Sequence, residues 1–123
     1  MKKLILTCLL ALMSFATFSK DYVFTSYYWG AFKRTEYSGR YDEETFSSKV
    51  TITIDENWVV IRAGDIQKIF LINNTEVNSD LEKGVYYYCN NDMLVNVYRM
   101  NGQTKIMTIQ NNQYFWFSIS SVD

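Results

Sequence analysis

Three clusters of carboxylates are the first place to look for chemistry: Asp42-Glu43-Glu44, Asp55-Glu56, and Asp80 with Glu82. A glycosidase needs two carboxyl groups facing each other across a cleft, one of them with a raised pKa. Neighbouring acids in a turn point apart and stay solvated, so all three clusters read as loop charge. Calcium could be held by residues 42–44 or by the 78–82 loop. Neither has the ordered Asp-x-Asp-x-Asp-Gly spacing of a calcium loop. The chain contains no histidine. That removes Ser-His-Asp and Cys-His catalysis, the usual zinc sites and the commonest general base near neutral pH. Cys89 sits in a Tyr-rich stretch with no base in view, and inert packing is the expectation for it. Asn73-Asn74-Thr75 matches a glycan acceptor pattern, a signal short enough to arise by chance. The residues point to no catalytic site, no metal and no cofactor, and the expected class is non-enzymatic.

The elements that would position any remaining site are strands. Lys49-Val50-Thr51-Ile52-Thr53-Ile54 alternates strictly and is rich in β-branched residues, the pattern of a half-buried strand. Asp55-Glu56-Asn57 makes a short turn, with Asn57 suited to the left-handed conformation, and residues 58–62 return as the partner. Gly64-Asp65 turns into 66–72, a polar stretch covers 73–83, and Gly84 reopens a strand at 85–89. Further strands at 93–100, 104–110 and 114–120 are joined by Asn101-Gly102 and Asn111-Asn112, the first being the strongest two-residue hairpin signal. Residues 22–37 read as extended structure broken at Gly30, and 38–48 as a polar segment with room for one helical turn begun by Asp42. The expected fold is all-β: an antiparallel meander of seven to nine short strands. It would form a barrel or a strongly bent, half-closed sheet, with a two-sheet sandwich as the alternative.

Two-residue turns let the faces be worked out by register. If Asn91-Asp92 is such a turn, one face carries Tyr86, Tyr88, Val95, Val97, Ile106, Phe115 and Phe117, with Ile119 nearby, and forms a core wall. The other face carries Tyr87, Cys89, Leu94, Tyr98, Met107, Ile109, Tyr114 and Trp116, interspersed with Asn96 and Lys105. A solvent face should be mainly Thr, Lys, Glu and Gln, so this one is unusual. The ordinary explanation is cover by the N-terminal segment, whose Phe24, Tyr28, Trp29 and Phe32 need burial. The other is a contact face for a ligand or partner, with Tyr87, Tyr98, Met107, Tyr114 and Trp116 as the binding residues.

Met1-Lys2-Lys3, the mostly apolar stretch from Leu4 to Phe18 and the small residues around Ser19 have the layout of a secretory signal. The expected division is a signal peptide at 1–19 and a single β domain at 20–123, exported to the periplasm, cell surface or medium. The apolar stretch is shorter than the ~18 residues of a spanning helix, so no membrane span is expected after cleavage. Cys8 lies too early in that stretch to be a lipid-attachment site. Without 1–19 the formal charge moves from −1 to −3, because Lys2 and Lys3 leave and no acid does. That balance, with no basic cluster, excludes a nucleic-acid partner. Cys89 would then be the single cysteine, leaving no internal disulfide.

The run Val50-Thr51-Ile52-Thr53-Ile54-Asp55, followed by Ile61, Ile69-Phe70, Tyr88-Cys89, Val95-Asn96-Val97 and Phe115-Trp116, resembles a loose group of small bacterial exported β-sheet proteins over roughly residues 49–119. That resemblance implies export and β structure and brings no activity with it. The functional expectation is a secreted or envelope module that binds a protein or a glycan through aromatic side chains of a sheet face. The alternative is an inhibitor of a secreted hydrolase, presenting loop 73–83 or 38–48 to the enzyme's cleft.

Overall fold

The computed structural model describes residues 21–34 and 41–123, and every regular element among them is a strand. The strands are β1 (Tyr22–Arg34), β2 (Tyr41–Phe46), β3 (Val50–Ile54), β4 (Trp58–Ala63), β5 (Ile66–Val77), β6 (Val85–Cys89), β7 (Leu94–Met100), β8 (Gln103–Gln110) and β9 (Gln113–Val122). All pairings are antiparallel, in the order β2-β1-β3-β4-β5-β6-β7-β8-β9, with β1 also paired to β9. Eight strands therefore close into an up-and-down barrel. β9 runs along one edge of β1, while β3 and β2 share the other, against Tyr22–Ser26 and Trp29–Arg34 respectively. β2 thus lies outside the closed ring. The expected barrel is present and the sandwich is not. The expected signal peptide at 1–19 lies outside the described residues.

Turn chemistry explains the hairpins. Asn101 and Gly102 have φ of 53° and 75°, and Asn111 and Asn112 of 50° and 63°, which is the left-handed pair that matches strand twist. The β3–β4 turn works differently from expectation. Asn57 is not in the left-handed region; instead Asp55 Oδ1 accepts the Asn57 and Trp58 N–H groups at 2.7 and 2.6 Å. Three further expectations are corrected. Residues 41–46 are strand, not a helical turn begun at Asp42, and 73–77 continue β5 beside β6. Nor does β1 break at Gly30. The loop that remains, 78–84, folds over one end of the barrel. There Leu81 packs on the core and its carbonyl accepts the Arg99 N–H at 3.0 Å.

Apolar side chains fill the barrel. Phe24, Val50, Ile52, Ile54, Val59, Val85, Val95, Val97 and Ile106 are fully buried, each contributing about 1.5–3 kcal/mol. A disulfide-free domain can rest on such a core. At the other end Trp29 stacks on Phe46 at 4.4 Å and on Phe117 at 5.7 Å, and its indole N–H donates to the Ser48 carbonyl at 3.2 Å. This packed apolar interior differs from the polar lumen of an outer-membrane barrel. Among the described residues no helix is long and apolar enough to cross a membrane.

The expected core wall holds for Val95, Val97, Ile106, Phe115, Phe117 and Ile119 and fails on β6. Val85, Tyr87 and Cys89 point inward, opposite Val97 and Val95, while Tyr86 and Tyr88 face out. Asn91 and Asp92 do turn with positive φ. The slip comes from Asn90. The ladder resumes with Cys89 N–H to Met93 O at 2.8 Å, which leaves Asn90 as an extra residue. Its N–H donates to Leu71 O at 2.9 Å and its Oδ1 accepts the Leu71 N–H at 3.0 Å. Asn90 is thus drawn to β5, and one inserted residue exchanges the two faces of β6.

Candidate functional site

The outer face of β7, β8, β9 and β1 carries the unusual aromatic side chains. Register places them on a grid. Tyr98 lies opposite Lys105, Lys105 opposite Ser118, and Ser118 opposite Tyr28. The next row runs Asn96, Met107, Trp116, Gly30, and the one beyond it Leu94, Ile109, Tyr114, Phe32. Four of the five expected binding residues (Tyr98, Met107, Tyr114 and Trp116) therefore share this face. The fifth does not. Tyr87 is 4% exposed inside the barrel, where burial first, then Tyr22 and Cys89, pushes its phenol pKa up.

β1 does not cover this face. β1 joins the sheet edge-on beside β9, and a register break leaves Tyr27 unpaired. That extra residue reverses the alternation. Phe24 is buried before it and Trp29 packs on the core after it, while Tyr28 is exposed and extends the aromatic face. Phe32, opposite Tyr114, extends it further.

Trp116 is the centre of the arrangement and is held on three sides. Gly30 lies directly across from it, and a Cβ there would sit 2.5 Å from the indole Cε2 and Nε1. The ring therefore occupies the space a side chain would need, an aromatic filling the gap of a strand glycine. The Tyr28 ring meets it edge-on at 5.2 Å. Its Nε1–H donates to Glu43 Oε2 of β2 at 3.1 Å. Leaning towards β2, the indole leaves open the space above Met107 and Lys105. The result is a groove of about 320 Å³ lined by Phe32, Glu43, Tyr98, Lys105, Met107 and Trp116.

Comparison with protein-family models, curated proteins and solved structures finds no match. The groove's own chemistry has to speak for it. Lys105 is half-buried and its ammonium has no hydrogen bond or ion pair among the described residues, and the Tyr98 hydroxyl is likewise unengaged. Burial pushes the Tyr98 phenol pKa up, so it stays a neutral donor and acceptor. Glu43 uses one carboxylate oxygen on Trp116 and keeps the other. A second exposed apolar strip, Trp58 with Leu71 and Val60 with Ile69 on β4 and β5, lacks this character. The polar pair beside it is already satisfied, with Arg62 Nε donating to Gln67 Oε1 at 3.0 Å.

The sequence-expected alternatives gain no cleft. Asp55 Oδ1 caps its turn and Asp80 Oδ1 accepts the Glu82 N–H at 2.9 Å. Among the described residues no group of acids, Cys or His could hold a metal. Of the loops expected for inhibition, residues 73–77 and 41–46 are strand. Sequence reasoning missed Glu43 and Gly30 as parts of the site. An isolated glycine inside a strand pattern was the available signal, since it marks a close approach.

Cys89 is 8% exposed and burial pushes its thiol pKa to about 11. Native protein at pH 8 should leave it unreacted with a thiol reagent for hours, and unfolded protein should react at once. The folded value lies above the ordinary 9.0, so the stability it carries is complete below pH 9 and lost as pH rises through about 11. Urea midpoints from pH 7 to 11 should accordingly fall more steeply for the wild type than for Cys89→Ala.

Proposed function

We propose that this chain is a non-enzymatic binding module of the cell envelope or secreted space, taking a protein or a glycan on the outer face around Trp116. The observation that carries the reading is the way Trp116 is pre-set. With Gly30, Tyr28 and Glu43 fixing the ring, little side-chain freedom remains to be lost on contact, which favours binding. Trp and Tyr supply most of the energy in contact surfaces of this kind, and Met107 adds an adaptable wall. The export part of the reading rests on Met1-Lys2-Lys3 and the apolar stretch after it. Small closed barrels serve many functions, so the site and not the fold carries the proposal.

The test is a pull-down with the C-terminally tagged full chain from envelope and secreted fractions of the source cells, alongside Trp116→Ala and Tyr98→Thr. One component recovered with wild type and absent with both variants is the expected result. A component retained equally by both variants would move the contact surface elsewhere.

A further inference from the structure

We infer that the groove beside Trp116 binds a saccharide carrying one anionic substituent, of the uronic-acid kind, with the anion at Lys105. The inference rests on the binding-module reading and narrows it to one ligand class. The groove offers a flat, fixed indole together with two unengaged polar groups, Lys105 and Tyr98, and the second carboxylate oxygen of Glu43. Lys105 can only donate, the free oxygen of Glu43 can only accept, and the Tyr98 hydroxyl can do both. A sugar ring matches that set, with an apolar C–H face for the indole and a rim of hydroxyls that both donate and accept.

Charge fixes the direction in which such a ring lies. Glu43 at the β2 end repels an anion and suits hydroxyls, whereas Lys105 at the β8 end forms no ion pair with any described residue. The two backbones are three strand spacings apart across the sheet, about 14 Å at ~4.8 Å per strand, and four residues apart along it, about 13 Å, with both side chains reaching into the one groove between them. One or two sugar rings fill that span. A volume of about 320 Å³ is also at the small end for ligand sites. A folded protein partner instead needs a contact of about 800 Å² on its own side.

The test uses protein purified from cells expressing the full chain, titrated calorimetrically with a glucuronic-acid oligosaccharide and its neutral glucose counterpart. Wild type should bind the acidic sugar roughly tenfold more tightly than the neutral one. That preference should vanish in Lys105→Met, whose urea midpoint should match wild type. Trp116→Ala should lose both sugars. Equal affinity for the two sugars, or a preference that survives Lys105→Met, overturns the anionic part. If neither sugar binds while the pull-down still recovers a Trp116-dependent protein, the saccharide inference fails and the binding-module reading stands. If the pull-down is empty as well, both fail.

Discussion

Gly84→Ala should destabilise the protein by about 4 kcal/mol or more, a cost reserved for a few structural faults. Two of them coincide at this position. The glycine has φ of +64°, where a side chain costs about 1–2 kcal/mol. A methyl group there would also overlap the Val97 carbonyl oxygen and lie 2.7 Å from the Tyr98 Cα. Both obstacles are backbone, and they belong to the strand that pairs with β6, so neither can yield without breaking that ladder. Against a domain stability of about 5–15 kcal/mol the loss is severe. Urea denaturation followed by tryptophan fluorescence measures it, and an unchanged midpoint would mean the loop 78–84 does not pack as described. Gly64, with φ of +58° and nothing within reach of a Cβ, is the control. Alanine there should show the φ cost alone.

Gly30→Val should lower stability by about 1–2 kcal/mol and empty the groove of its platform. The new side chain displaces the Trp116 indole, which then loses its bond to Glu43 and its contact with Tyr28. The sign should reverse once the indole is gone. In a Trp116→Ala background the space is open, and valine's preference for strand should stabilise by up to about 1 kcal/mol. The double-mutant cycle thus predicts a coupling of about 2 kcal/mol. Equal effects of Gly30→Val in the two backgrounds would show that Trp116 does not lie over Gly30, and the proposed site would lose its foundation. The binding readout follows the same logic: ligand retention by Gly30→Val would remove the pre-set indole from the account.

Much of the barrel was legible in the chain because it is built from local hairpins. Asn101-Gly102 and Asn111-Asn112 are two-residue turns whose positive φ values force the neighbouring registers. The pairs Tyr98–Lys105, Val97–Ile106 and Met107–Trp116 follow directly from them. Where a turn borrowed a hydrogen bond from farther away, the same reasoning failed. Asn90 leaves the β6–β7 ladder because Leu71, on another hairpin, offers it two bonds. Nothing within 85–97 signals that offer, so the faces of β6 were exchanged and Tyr87 moved from the binding face to the core. Tyr27 is a similar case. Its displacement belongs to the ladder between β1 and β9, which forms only when the two ends of the chain meet.

The sequence by itself determined most of the strands, the two-residue turns of the last three, the antiparallel order and the aromatic character of one outer surface. All of these depend on residues a few positions apart. Tertiary structure alone decided that the sheet closes, that β2 stands outside the ring, and that Glu43 reaches Trp116 across 73 residues of chain. The physical reason is that face and closure are set by single inserted residues and by ladders between distant strands. A one-residue bulge turns every side chain after it to the opposite side. Its hydrogen-bond partners lie on strands that local pattern cannot see.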